Sequence, residues 1–328
     1  MLTIFTHCKA FTGHIGVIQR NAIRSWMELR PRCQIILCGD REGTKEAAQE
    51  FGLPHLHGIA QNEYGTPFLN DLFDRAQALA SHDLVCYTNS DIIFFNPFLQ
   101  AVATVARLRK RFLVVGECWD LDIPDALKFE DPSWERHLST RIHEQGRRRG
   151  PRSIDYFVFP RGFYKGLPPF VLGTAYFDNW LVWKARSLHG TSVDISRVLM
   201  PAHQNHDYSH IVGGYKFTRS GENAKRNLSL TGGRRHIYLL YDTSHRLEPV
   251  GLRRNYGRLF RFGLAWEIQM QWWWALVELT RPVRHALGLN LRNISRFRTW
   301  LQRKLQIVGI CTTAPEGVDK QYPGVGLD

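Results

Sequence analysis

The first 116 residues alternate between short apolar runs and segments whose apolar residues recur every three or four positions. The runs cover residues 2–6, 34–38, 55–57, 83–88 and 112–116. Between them, Ile15, Ile18, Ala22, Trp26 and Leu29 fall on one helical face, and residues 45–51, 67–80 and 97–111 read as helices. Strands that are apolar throughout belong to a sheet covered on both faces. Strand–helix alternation makes that sheet mostly parallel. An α/β doubly wound architecture follows. Ligands in such folds bind beyond the carboxyl ends of the strands. The strand exits at residues 7–9, 39–40 and 89–91 are therefore where chemistry is expected.

The rhythm then changes. Residues 117–153 are polar, with Arg147, Arg148 and Arg149 together, and read as a long loop or an irregular helical excursion. Residues 154–159 and 191–195 read as strands, 177–188 as a helix, and 201–250 as loop-rich. Net charge is +13, and residues 251–305 hold eleven Lys/Arg against only Glu267 and Glu278. The expected organisation is a catalytic domain over 1–250, a basic aromatic helical appendage over 251–305 and a loose tail over 306–328. The appendage could pack on the catalytic domain, lie in a membrane interface or bind nucleic acid, the last being the least expected partner. No run approaches the ~18 apolar residues of a spanning helix, and no leader-like segment opens the chain. The expectation is a cytoplasmic protein, with a peripheral membrane contact through 251–305. The six cysteines form no CxxC pair and read as buried thiols.

Residues 84–95 place Asp91 inside an almost wholly apolar stretch, directly after Asn89 and Ser90. A carboxylate in such company needs a cation or strong donors. A divalent metal would serve, and so would a role as a turn or helix cap. Asp178 opens a predicted helix, where it can cap. His203, His206 and His210 crowd one short stretch, as metal ligands or as surface histidines. Asp155 heads a strand, and either meets a ligand hydroxyl or closes on backbone. Thr6, His7 and Asp40 lie at strand exits, where ligands bind. Arg75, on the helix before the Asp91 strand, either faces such a ligand or points to solvent. No GxGxxG or GxxxxGK[ST] follows the first strand.

As a series, the Asn89-Ser90-Asp91 turn, residues 154–162, Pro168-Pro169-Phe170, Asp178-Asn179-Trp180 and residues 203–210 resemble GT-A-fold nucleotide-sugar glycosyltransferases, in particular bacterial ones of unassigned substrate. The likeness spans roughly residues 2–250. It implies a GT-A-type Rossmann-like sheet. It implies Asp91 as metal ligand in a DxD-type turn, with Asn89 departing from the usual first acid. It also implies His203 or His206 completing a Mn²⁺ or Mg²⁺ site, and Asp178 as general base in an inverting transfer. The donor would be a nucleoside-diphosphate sugar, contacted by Thr6, His7, Asp40, Arg75, Asn89, Ser90 and Asp91. The acceptor would be a glycan or lipid-linked hydroxyl. Sugar-phosphate nucleotidyl transfer, or a non-catalytic role for the basic tail, are the other classes considered.

Overall fold

The computed structural model describes residues 2–206 and 218–257. The chain divides into two units, Met1–Tyr256 and Gly257–Asp328. All but Gly257 of the second lies outside the described residues, and with it most of the basic stretch and Cys311.

The alternating half folds as its pattern predicts. Strand β1 (Leu2–His7) leads to α1 (Gly13–Met27), β2 (Gln34–Cys38), α2 (Thr44–Phe51), β3 (His55–Leu56), α3 (Leu69–Leu79), β4 (Leu84–Thr88), a two-residue β5 (Ile92–Ile93), α4 (Pro97–Leu108) and β6 (Phe112–Val115). Parallel pairing joins β1 to both β2 and β4, and β2 to β3. Helix α1 buries Ala22, Ile23 and Trp26 against Ile4, Ile35 and Cys86 of these strands. On the other face Leu69, Leu72, Phe73 and Ala76 of α3 meet Phe5, Ile36 and Tyr87. Full burial of each such aliphatic or aromatic side chain contributes roughly 1.5–3 kcal/mol.

Beyond residue 116 the chain is more ordered than its polarity suggests. Strand β7 (Trp119–Leu121), α5 (Trp134–Gln145) and β8 (Arg147–Arg148) stand where a long loop or an irregular helical excursion was expected, and β9 (Tyr156–Pro160) follows. Helix α5 buries only Leu138 and Ile142, too few apolar positions to register as a periodic face. Next come α6 (Phe177–Ser187), β10 (Thr191–Asp194), β11 (Ala202–Gln204), α7 (Glu222–Leu230), β12 (His245–Glu248) and β13 (Gly251–Arg254). The loop-rich reading of 201–250 is thus corrected as well: three regular elements and two short 3₁₀ turns lie there. Strand β13 begins where the helical appendage was expected. It pairs antiparallel with β12, and Leu252 meets Leu247 in a hydrophobic cluster.

Nine strands form one sheet in the order β13-β12-β10-β6-β9-β4-β1-β2-β3. It is mostly parallel, but β9 runs antiparallel to both β4 and β6 and joins the two halves. A second sheet, β5-β11-β7-β8, stands beyond β4. Asp91 is in the turn where the chain leaves the large sheet for the small one. The small sheet has its own core of Ile93, Phe95, Leu121, Ile123, Leu138, Ile142 and Ala202.

Candidate active site

Four strands bring the charged residues together. Pairing of β11 with β5 sets His203 beside Ile92, one residue from Asp91. Parallel pairing of β11 with β7 sets His203 beside Asp120, and β8 places Arg147 opposite Asp120, two residues before Arg149. Helix α1 fixes this arrangement. Trp26 Nε1 donates to the Ile92 carbonyl (2.8 Å), and Ser25 Oγ accepts from the Phe94 N–H (3.2 Å). The buried Gln204 amide donates to the Ile18 carbonyl (2.7 Å) and to that of Asp91 (3.2 Å), while accepting from Asn21 (3.0 Å).

The Asp91 side chain is 2% exposed. Its Oδ2 accepts from Lys9 Nζ at 2.7 Å and lies 3.2 Å from His206 Nε2. Its Oδ1 is buried without a hydrogen-bond partner among the described residues and lies 3.9 Å from His203 Nε2. One ligand atom from each of Asp91, His203 and His206 falls within 4.8 Å of the others, a spacing that fits a single cation. Burial alone would push the Asp91 carboxyl up. Lys9, His203 and His206 outweigh it and hold the group well below the ordinary carboxylate range. Lys9 is itself held: Gln19 accepts from its N–H (2.8 Å) and donates to its carbonyl (3.1 Å).

His203 Nδ1 is 2.8 Å from Asp120 Oδ1. With Nδ1–H donated to that carboxylate, Nε2 turns its lone pair toward Asp91, the tautomer a metal ligand requires. Arg149 Nη1 also donates to Asp120 Oδ1 and lies 2.7 Å from His203 Nδ1. Desolvation works against the Asp120 charge, but His203 and Arg149 prevail and its carboxyl is lowered. The Nε of Arg149 reaches Asp155 Oδ2 at 3.0 Å.

Asp155 stands opposite Asn89 because β9 runs antiparallel to β4, with Tyr156 beside Thr88. Asn89 donates its backbone N–H to the Asp155 carbonyl and its Nδ2 to Asp155 Oδ1, both at 2.9 Å. This explains why an amide stands at position 89. A carboxylate there would face another carboxylate, whereas the amide supplies a donor. Ser90 is buried, and its hydroxyl has no hydrogen-bond partner among the described residues.

Asp178 is the second residue of α6, and its Oδ1 is buried and unpartnered. Desolvation, with a smaller push from Asp155, raises its carboxyl to about 7 against the pull of nearby backbone N–H groups. Asp91, Asp178 and Asp155 all act on the buried phenol of Tyr87, whose ionisation is displaced upward by burial and then by nearby charge.

The structure places the other expected donor contacts as follows. Thr6 is buried within β1, and its hydroxyl has no hydrogen-bond partner among the described residues. Burial, aided by Arg41, lowers His7 to about 4 and leaves it a neutral ring. That ring packs against Gly39, whose φ of +101° and 2.6 Å approach between a built Cβ and His7 Nε2 leave no room for a side chain. Asp40 accepts from the Gly58 N–H at 2.8 Å. The Arg75 guanidinium is bonded to the Gly58 and His57 carbonyls, at 2.6 and 2.8 Å, and pairs with Asp71 at 3.6 Å. It fastens the loop after β3 rather than facing the Asp91 turn. Conversely, Lys9, Asp120 and Arg149 belong to the site without having been singled out. Only Lys9 carried a signal, its place at a strand exit. Asp207 and His210 of the histidine-rich stretch lie outside the described residues.

No family model matches the chain, and no curated protein matches it. Among solved structures, it is similar to glucosyl-3-phosphoglycerate synthase from Mycobacterium tuberculosis in complex with Mn²⁺, UDP and glucosyl-3-phosphoglycerate. That match has 15% identity and a TM-score of 0.41, over 71% of this chain and 80% of the other. It is also similar to S. aureus TarS 1-349 in complex with UDP-GlcNAc, with 11% identity and a TM-score of 0.30 over 38% of this chain. The match spans only 37% of that TarS chain.

Proposed function

We propose that this protein is a metal-dependent glycosyltransferase that moves a sugar from a nucleoside-diphosphate sugar to a hydroxyl acceptor with inversion. The observation that carries the reading is the buried Asp91–His203–His206 cluster at the carboxyl end of β4, with an orphaned carboxylate oxygen inside it. Those residues would hold the ion, and two imidazoles beside one carboxylate favour Mn²⁺ over Mg²⁺. A divalent ion there supplies charge neutralisation for a leaving diphosphate. Asp120 orients His203 through Nδ1, and Asn89 with Arg149 fixes Asp155 for a sugar hydroxyl.

Asp178 is the base. Its carboxyl, raised to about 7, is matched to taking a proton near neutral pH. The acceptor oxygen attacks the anomeric carbon as its proton passes to Asp178. The bond from that carbon to the diphosphate breaks, and the electron pair leaves with the diphosphate. A lipid-linked or glycan acceptor fits the basic stretch of residues 251–305, which would then meet anionic lipid headgroups.

The test is a transfer assay against UDP-, GDP- and dTDP-sugars with and without Mn²⁺, using the wild type, Asp91→Asn and Asp178→Asn. Loss of activity in both variants supports the reading. Full activity in both rejects it.

A further inference from the structure

The cation that the triad is shaped to receive already has a rival within the chain. Lys9 Nζ lies 2.7 Å from Asp91 Oδ2 and 2.8 Å from His206 Nε2, so one ammonium spans two of the three candidate ligands. It is not a chance surface contact. The Lys9 side chain is 27% exposed against 2% for Asp91. The loop that carries it is stitched to the buried Gln19 amide by bonds to the Lys9 N–H, the Lys9 carbonyl and the Ala10 carbonyl. Gln19 is wholly buried in α1, the helix whose Trp26 and Ser25 also fix the strand after Asp91. One helix thus sets both the ammonium and the carboxylate.

An ammonium bonded to His206 Nε2 uses the lone pair that a metal would need. Its charge also repels an incoming divalent ion at the same carboxylate. The two occupants are alternatives. Only Asp91 Oδ1 and His203 Nε2 remain for an ion while Lys9 is in place, too few protein ligands for firm binding.

We propose that Lys9 is a resident counter-cation that competes with the divalent ion for Asp91 and His206, so that the ion binds only as the Lys9 side chain swings away. This rests on the metal reading of the triad given above. Lys9 is a positioning residue here: it holds the carboxylate and imidazole in place and tunes their affinity for the ion.

The experiment is direct titration of the full chain with Mn²⁺, followed by the electron paramagnetic resonance signal of the free ion, without donor or acceptor. The wild type, Lys9→Met and Lys9→Arg are compared, with Asp91→Asn added to Lys9→Met as the site control. Lys9→Met is expected to bind Mn²⁺ at least tenfold more tightly than the wild type, Lys9→Arg no more tightly, and the double variant not at all. Equal affinity of the wild type and Lys9→Met, with binding lost in the double variant, overturns the competition while leaving the metal site standing. No Mn²⁺ binding by any variant overturns both. Should Lys9→Met fail to fold, Lys9→Gln keeps a donor toward Asp91 without the charge. It is expected to show the same tightening, and its failure to do so overturns the competition equally.

Discussion

The large sheet and the small sheet are held together by different forces. Around β1, β4 and β9 the contacts are apolar and aromatic: Phe73 stacks on Phe159 with ring centroids 5.6 Å apart, and Phe94 on Phe98 at 4.1 Å. The small sheet has a smaller apolar core of its own. It is also threaded by Asp91, His203, Asp120 and Arg149, with the Glu117–Arg148 ion pair beside it. The comparison teaches a division of labour. The large sheet provides a rigid edge, and the small sheet brings charged groups against it. Buried ion pairs add less net stability than apolar packing but are costly to break singly.

The largest expected effect separates base from metal ligands. Asp178→Asn, on α6 and off the small sheet, is predicted to lower transfer by about 10²–10⁴-fold. Mn²⁺ affinity, read by calorimetry, should stay unchanged. A parallel loss of metal binding would show that α6 and the small sheet act as one unit. Next is Asp120→Asn, which removes the carboxylate behind His203. A fall of about 10–100-fold in Mn²⁺ affinity is expected. An unaltered titration would mean that His203 is oriented by Arg149 alone.

A smaller, graded effect concerns pH. Asp178 must be ionised to take a proton, so kcat/KM should rise as pH rises through about 7 and fall roughly tenfold per unit below it. The same shift acts on folding. Between the ordinary aspartate range and about 7 the folded state binds the extra proton, so stability from this group declines as pH rises through that window. Asp91 has the opposite sign: its carboxyl is lowered, so its contribution is complete above the ordinary range and lost as pH falls through the folded value. Asp178→Asn should flatten both the activity limb and its share of the stability slope.

The smallest effect tests Asn89. Asn89→Asp sets a carboxylate against Asp155 and should destabilise by about 1–3 kcal/mol in urea unfolding at neutral pH. Relief on acidification would identify charge repulsion as the cause. A variant as stable as the wild type would contradict the account of why an amide stands there.

The same contrast explains what could be read in advance. The strands at residues 34–38 and 84–88 and the face of α1 are written in apolar residues, whose burial pattern is local. Asp91 was visible because a carboxylate inside an apolar run is costly without a partner, and His203 and His206 because histidines crowd one short stretch. Asp120 and Arg149 were not, because a three-residue strand in a polar stretch has no period to detect, and their pairing depends on strands distant in sequence. The direction of β9 was equally hidden, since an apolar run looks the same in either orientation. Likewise, a place on the helix before the Asp91 strand does not reveal that the Gly58 and His57 carbonyls bind the Arg75 guanidinium.

The antiparallel β9 has a consequence for synthesis of the chain. The neighbours β4 and β6 touch it, not each other, and β10, β12 and β13 come later in the chain, so until β9 has left the ribosome the emerging protein holds the β4-β1-β2-β3 group and a lone β6. Until then β4 and β6 expose unpaired borders, the kind of edge that recruits foreign strands. Fragments ending before Tyr156 should therefore self-associate, and the protein cannot be divided there into two independently folding pieces.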